Sequence, residues 1–307
     1  MFSNVFLLDC TYKTNRYKMP LLSIVGMTST QQSFFSAFVF LSNETEDSYK
    51  WALEHFKTIL HQNSLPLVLV TDRELALLNV IKVVFPTSKH ILCQVHIHRN
   101  VLANCKKYFK EGKECEKFLG VWQRLVEART ENEFYMRYNA IISSYSGYYP
   151  KVVAYVSGTW VEPYKEFFVS AWIDKYLHLG NSTTNRVEGG HNHLKKFLEV
   201  SIGTLNTVWR AFDQMITLQH TEIRRAFGHS SIQMSTEYKS ILYSALVGRV
   251  SINALSLIRE EEKKYSSKEY PREEDCVHTT RNTLGLPCAH EVGIYNISLK
   301  TRHIRYG

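Results

Sequence analysis

The sequence predicts an α/β fold in which helices cover both faces of a mixed sheet. The first 110 of the 307 residues alternate short apolar runs with helical periodicity, in the order β-β-β-α-β-α-β-α. After this segment the alternation stops and the pattern becomes mostly helical. A composition of 44% hydrophobic and 21% charged residues is ordinary for a folded chain and excludes wholesale disorder.

Five strands are predicted from apolar runs rich in β-forming residues. The first three are Asn4–Leu8, Leu21–Met27 and Ser33–Leu41. Their short links favour an antiparallel meander. The fourth and fifth are Leu65–Val70 and His90–Val95.

Three helices are predicted among these strands. The first carries apolar residues at 3–4 spacing from Tyr49 to Leu60, with Asn43 and Glu46 as a capping box. The second begins near Glu74 and ends at Pro86, and its inward positions are Leu75, Leu78, Ile81 and Phe85. The third covers Arg99–Phe109.

The chain divides into four segments. Residues 1–110 form the first part of the α/β core, and 111–180 form a helical, aromatic segment. The aromatic residues of 111–180 could stack on bases, but their helical spacing favours an aromatic core. Residues 181–259 include two more helices between 183 and 228, and 260–307 hold a charged linker at 260–275 followed by a Cys/His tail.

The charge balance favours a polyanionic partner. Lys and Arg total 37 against 29 Asp and Glu, which gives a net charge of +8. Nucleic acid is the first such partner, although solvated lysines alone would give the same balance. The basic residues that could neutralise phosphates are Lys106, Lys107, Lys110, Lys113, Lys195, Lys196, Arg224 and Arg225. No apolar stretch approaches the roughly 20 residues that cross a bilayer, so no membrane partner is expected.

Asp9 and Asp72 are each the first carboxylate after an apolar strand. Strand ends are where ligands and catalytic groups lie in α/β sheets. If the two strands are neighbours, the two acids would repel unless a cation lies between them, and their hard oxygens suit Mg²⁺ or Mn²⁺. Alternatively, each aspartate only caps the structure that follows its strand, and Asp72 could N-cap the second helix.

Glu188 lies on a predicted helix, on a polar face with Asn192 and Lys195. Gly189 and Gly190 each cost that helix about 1 kcal/mol relative to Ala, which is understandable if a backbone or ligand must approach closely. A solvated acid on a surface helix is the simpler interpretation of Glu188 taken alone.

Two groups of Cys and His residues could bind metal or serve structure. Cys93 and His96 form C-Q-V-H, but two ligands do not make a zinc site, so a buried Cys and a polar His at a strand end are expected. The tail offers four N/S donors in two close pairs, C-V-H and C-A-H, and these donors are Cys276, His278, Cys288 and His290. Such a set predicts one tetrahedral Zn²⁺ site.

Several motifs together resemble the transposase domain of Mutator-like DNA transposons, which also occurs in plant far-red-response regulators derived from such transposases. They are F-L-L-D-C-T-Y-K-T-N-R-Y-K-M-P-L-L, V-T-D-R-E-L-A-L-L-N-V-I, H-I-L-C-Q-V-H-I-H-R-N-V and N-R-V-E-G-G-H. The ending C-V-H…G-L-P-C-A-H resembles the SWIM zinc finger that often follows this domain. The second SWIM ligand is usually Cys, and here it is His278.

The resemblance implies a ribonuclease H-like fold, with an all-helical insertion before the third acid and a small zinc-binding tail. It implies a DDE triad in which Asp9, Asp72 and Glu188 bind Mg²⁺ or Mn²⁺ for DNA strand cleavage and strand transfer. Cys93 and His96 match the family's Cys-x-x-His motif. The partners would be transposon ends and target DNA in the nucleus, with homo-oligomer formation left open.

The resemblance also allows other functions. The main alternative is a catalytically silent, domesticated protein that binds DNA or regulates transcription, and another is a different metal-dependent nuclease on the same fold. Family members commonly carry an N-terminal DNA-binding zinc domain, which does not precede Asp9 in this sequence.

Overall fold

A single five-stranded sheet forms the centre of the α/β part of the protein. The structure is a computed structural model and describes residues 2–60, 65–198, 203–232, 236–240, 242–267 and 272–296. The sheet has the strand order β3-β2-β1-β4-β5. Its strands are β1 (Phe2–Thr11), β2 (Leu21–Met27), β3 (Ser33–Phe40), β4 (Val68–Thr71) and β5 (Lys89–Leu92).

The sheet is mixed, as the sequence predicts. β1 pairs antiparallel with β2, and β2 pairs antiparallel with β3, which confirms the meander. β4 pairs parallel with both β1 and β5. Parallel neighbours need a crossover connection, and helices between β3 and β4 and between β4 and β5 supply it.

The helices follow the sheet in chain order. Those of the first part are α1 (Glu46–Ile59), α2 (Leu75–Val84) and α3 (Gln94–Cys105). Next come α4 (Gly112–Val126), α5 (Glu131–Tyr145), α6 (Pro150–Val156), α7 (Glu162–Phe168) and α8 (Ser170–Ile173). The last are α9 (Asn185–Phe197), α10 (Leu205–Ile232), α11 (Ile252–Ser267) and α12 (Thr279–Leu284).

Apolar residues cover both faces of the sheet because side chains alternate along each strand. On one face, Phe6 and Leu8 of β1 pack in one cluster with buried residues of α1 and α2. On the other, Val5 and Leu7 pack with Val187 of α9. Helices therefore lie on both faces, and α9 is held against the sheet.

The helical segment from α4 to α8 has its own aromatic core. Phe118, Trp122, Phe134, Trp160 and Phe168 are each no more than 1% exposed and belong to one cluster. The expectation of an aromatic core rather than a base-stacking platform is confirmed for these side chains.

The second and third helices differ from the prediction. Leu75, expected to face inward, is 56% exposed at the first position of α2. β5 ends at Leu92, and α3 begins at Gln94, five residues before the predicted start at Arg99. The apolar run through Val95 resembles a strand, but the chain turns at Cys93, whose backbone N–H donates to the Thr71 carbonyl at 2.8 Å.

Three smaller predictions are also corrected. Thr45, not Asn43, precedes α1, and the Asn43 side chain accepts from the Thr45 and Ser48 hydroxyls at 2.7 and 2.6 Å. β4 begins at Val68 rather than Leu65, since Pro66 has no N–H to give to a ladder. The predicted linker at 260–275 is helical over its first part, because α11 extends to Ser267.

The C-terminal helices enclose a small apolar cluster of their own. Tyr243, Leu255, Ile258 and Val292 are buried together there. Among the described residues, no helix combines the length and apolar character of a membrane span.

Candidate functional site

Asp9 and Asp72 lie side by side at one edge of the sheet. Leu8 on β1 is in register with Thr71 on the parallel strand β4, and each aspartate is the next residue along its chain. The two carboxylates therefore leave neighbouring strands at the same end. Asp72 does not cap α2, because Glu74 is the capping residue and accepts from the Ala76 N–H at 3.3 Å.

Glu188 occupies the first turn of α9, which lies across the sheet from α1 and α2. Val187 and Leu194 are fully buried and fix the helix against the strands. Gly190 allows this approach, because a Cβ there would overlap the ring of Phe35. At Gly189 a Cβ would meet nothing within 4 Å. The close approach expected from the sequence therefore explains the glycine at 190 but not the one at 189.

The turn at Cys93 brings His96 to Glu188. His96 Nε2 lies 3.2 Å from Glu188 Oε1, and Arg99 donates to the same oxygen at 3.1 Å. The Cys93 sulfur accepts from the Thr184 N–H and hydroxyl, both at 3.3 Å. A hydrogen bond with Cys93 raises the pKa of His96 to about 9, and the charges of Asp72 and Glu188 act in the same direction. Cys93 is buried as expected, but His96 joins the acidic site.

The pKa of the Asp9 carboxyl group is shifted strongly by its surroundings. Its pKa is raised to about 7, mainly by burial; the charges of Asp72 and Glu188 act in the same direction and that of His96 opposes them. His191 Nδ1 lies 3.5 Å from Asp9 Oδ2, and burial lowers the pKa of His191 to about 4, which leaves it neutral at pH 7. His191 was not singled out from the sequence, although its position one helical turn after Glu188 would have indicated it.

The donor chemistry of this edge fits a hard divalent cation. The carboxyl groups of Asp72 and Glu188 come close enough to shift the ionisation of Asp9, and all three acids are partly shielded from water. Carboxylate oxygens are the ligands that Mg²⁺ and Mn²⁺ prefer, and a bound cation would offset the mutual repulsion of the acids.

The C-terminal Cys/His residues form a second cluster. The donor atoms of Cys276, His278 and Cys288 all lie within 4.8 Å of one another. His290 belongs to an overlapping set of donors with His278 and Glu291, and its ring centroid is 5.0 Å from that of His278. His278 Nδ1 is buried and has no hydrogen-bond partner among the described residues. Two sulfurs and an unsatisfied imidazole nitrogen fit Zn²⁺.

The candidate DNA-binding lysines lie on two surfaces. Lys106, Lys107 and Lys110 are exposed just after α3, the helix that carries His96 and Arg99. Lys195 and Lys196 are exposed in the last turn of α9, the helix that carries Glu188.

Residues 5–100 match the family model described as MULE transposase domain. The resemblance to Mutator-like transposases is thereby confirmed for this part of the chain, and similar proteins extend it. The match contains Asp9, Asp72, Cys93 and His96, whereas Glu188 and the Cys/His tail lie beyond it.

Three relatives illustrate the similarity. "Protein FAR-RED IMPAIRED RESPONSE 1" from Arabidopsis thaliana is 21% identical over 223 residues, which cover 72% of this chain and 26% of the relative. "Protein FAR1-RELATED SEQUENCE 5" from the same plant is 29% identical over 96 residues, 31% of this chain and 12% of that protein. "PKS-NRPS hybrid synthetase cheA" from Chaetomium globosum is 32% identical over 112 residues, 36% of this chain and 2% of that protein. The chain thus matches no more than about a quarter of these relatives' lengths.

Proposed function

We propose that this chain is the catalytic domain of a DDE-type DNA transposase, which cleaves DNA strands and transfers them with divalent metal ions. The observation that supports this best is the placement of Asp9 and Asp72 on adjacent parallel strands, with Glu188 facing them from α9. The strand order β3-β2-β1-β4-β5 agrees with a ribonuclease H-like fold, and α4 to α8 agree with an insertion before the third acid.

The residues around the acids have positioning roles in this proposal. His96 and Arg99 hold the Glu188 carboxylate from α3, and His191 holds Asp9 from α9. Mg²⁺ or Mn²⁺, bound by Asp9, Asp72 and Glu188, would supply positive charge to the attacking and leaving oxygens of the phosphodiester. The partner in this proposal is double-stranded DNA, and the compartment is the nucleus. The exposed lysines after α3 and at the end of α9 contact the phosphates of that DNA.

Plasmid nicking, measured beside a gel shift, tests the proposal on the wild type and Asp72→Asn. The amide keeps the size of the side chain but is a poor ligand for a hard dication. We expect the variant to lose Mn²⁺-dependent nicking and to bind DNA as tightly as the wild type or slightly better. Equal nicking by both proteins would show that Asp72 is not required and would contradict the proposal.

A second function, that of a catalytically silent DNA-binding regulator, has one observation in its favour. The similarity to "Protein FAR-RED IMPAIRED RESPONSE 1" covers 72% of this chain. A pre-nicked substrate with Mn²⁺ separates the two functions, because it bypasses the first cut. Salt-dependent binding by the wild type without any strand transfer would favour the regulator.

We also propose that the tail binds one structural Zn²⁺ through Cys276, His278 and Cys288, with His290 as the fourth ligand in a SWIM-type finger. The cluster of three donors supports it. Mass spectrometry of the native protein is expected to find one zinc per chain, and Cys276→Ser with Cys288→Ser to remove it. Cys10→Ser, far along the chain, is the matched control. A zinc-free wild type would refute the site.

A further inference from the structure

The connection between β1 and β2 leaves the sheet at the end where Asp9 lies. Thr11 pairs with Leu21, so residues 12–20 form the loop of this hairpin, hereafter the β1–β2 loop. Asp9 is only three residues before the loop. At about 3.3 Å per residue of strand, the loop begins roughly 10 Å along the backbone from Asp9.

The loop exposes two aromatic and three cationic side chains. They are Tyr12, Lys13, Arg16, Tyr17 and Lys18. No Asp or Glu occurs anywhere from residue 10 to residue 43, and the next acid along the chain, Glu44, accepts from the Tyr12 hydroxyl. Arg16 also lies over the Tyr17 ring at 5.1 Å and donates to its hydroxyl at 3.1 Å, which holds the two side chains together.

The buried side chain of Asn15 fixes the backbone of the loop. It is 3% exposed, accepts from the N–H groups of Tyr17 and Met19 at 3.1 and 3.2 Å, and donates to the Met19 carbonyl at 2.8 Å. The Arg16 N–H is tied to the Gly203 carbonyl at 2.9 Å. The loop is therefore a preformed structure that needs little ordering when it meets a partner.

Two of the cationic residues have left-handed backbone. Lys13 has φ 59° and Lys18 has φ 58°, a region that non-glycine residues rarely occupy. These conformations cost free energy, and the hydrogen bonds of Asn15 between them hold the loop in place. Both lysines are exposed, whereas Thr14 and Asn15 between them are buried.

We propose that the β1–β2 loop is a contact surface for the phosphate backbone of duplex DNA beside the Asp9 edge. This rests on the proposed function, since it is DNA at Asp9 that would bring phosphates within reach. Cations neutralise phosphates without reading sequence, so the loop fixes the register of the duplex and not its base preference. An acidic protein segment is the competing partner, and duplex DNA is favoured over it because the proposed function places DNA at the Asp9 edge, which the loop adjoins.

The test compares two triple variants that lose the same charge. Lys13→Gln, Arg16→Gln and Lys18→Gln together remove the cations of the loop. Lys50→Gln, Lys82→Gln and Lys117→Gln remove three exposed lysines from α1, α2 and α4 and form the matched control. Binding of a duplex is followed by fluorescence anisotropy in EDTA over a range of salt concentrations. Each lost phosphate contact lowers the salt slope by about 1, so the loop variant is expected to lose about 3 and the control close to none.

The variant Asn15→Ala tests how much the conformation of the β1–β2 loop, as distinct from its charge, contributes to duplex binding. All three cations remain, so we expect weaker duplex binding with a smaller change of salt slope than in the triple variant. Thermal unfolding identifies general loss of folding in any variant.

If the triple loop variant and the control have equal salt slopes, the loop does not contact the DNA backbone, although the proposed function could stand. If the wild type shows no salt-dependent binding, both proposals fail. Loss of binding to an acidic peptide alone, with duplex binding intact, would assign the loop to a protein partner instead.

Discussion

His90 makes the stability of this protein depend on pH in a way that can be calculated. Its side chain lies on β5, is 4% exposed and bonds through Nε2 to the Thr71 hydroxyl at 2.7 Å. Its Nδ1 is buried without a hydrogen-bond partner among the described residues, and the ring of Phe167 lies edge-on at 6.0 Å. Burial lowers the pKa of His90 to about 3 from its usual 6.5, because an imidazolium there would lose its hydration.

The direction of the effect follows from where the proton binds. The folded state keeps His90 neutral down to about pH 3, whereas the unfolded chain binds a proton below about pH 6.5. The stabilisation by neutral His90 is therefore complete above pH 6.5 and is lost as the pH falls toward 3. pH 5 is about 1.5 units below the pKa of the histidine in the unfolded chain. At about 1.36 kcal/mol per unit, protonation of the unfolded state at pH 5 lowers the free energy of unfolding by about 2 kcal/mol.

Urea unfolding at pH 7 and pH 5, in EDTA, measures this loss in the wild type and in His90→Gln. Gln can still bond to Thr71 but does not titrate, so the variant should lose about 2 kcal/mol less than the wild type between the two pH values. His55→Gln, at an exposed position of α1, is the control and should behave like the wild type. If wild type and His90→Gln lose the same free energy, the burial of a neutral His90 is refuted.

The remaining predictions concern packing. Gly190→Ala should lower the free energy of unfolding by about 1–3 kcal/mol, since the new methyl overlaps the Phe35 ring. Gly189→Ala, one residue earlier and open to solvent, should be neutral or stabilising by up to about 1 kcal/mol, and equal effects in urea unfolding would contradict the geometry. Trp122→Ala should cost about 3–5 kcal/mol, because Trp122 is fully buried in the aromatic core. Trp51→Ala, at a side chain 54% exposed, should change stability by less than about 0.5 kcal/mol, and a comparable loss in both would show that the aromatic core is not packed as described.

The order of strands and helices in the first part of the chain follows from local pattern. Alternating faces and apolar runs are short-range properties, so the meander and the order of the helices after it are correctly predicted. The start of α3 is not local information. It depends on the turn at Cys93, whose sulfur accepts hydrogen bonds from Thr184, about ninety residues later. The sequence through Val95 has the pattern of a strand, but that tertiary contact goes with a turn at Cys93 and a helix from Gln94.

The contacts of the candidate site are also beyond sequence reasoning. The positions of Asp9 and Asp72 at strand ends could be predicted, and their adjacency followed once the strands paired. The approach of His96 to Glu188 requires α3 and α9 to be packed side by side. In the tail, the spacing predicted four donors together; Cys276, His278 and Cys288 form one set, and His290 joins His278 and Glu291 in a second set that shares His278.

The central claim is that Asp9, Asp72 and Glu188 together hold catalytic divalent metal. Anomalous diffraction from crystals soaked in Mn²⁺ at pH 8 tests it most directly, because the anomalous peak locates the ion without assumptions about activity. We expect a peak in contact with the carboxylates of Asp9 and Asp72, and its loss in Asp72→Asn crystals. Mn²⁺ bound elsewhere, with none at these two carboxylates in the wild type, would contradict it.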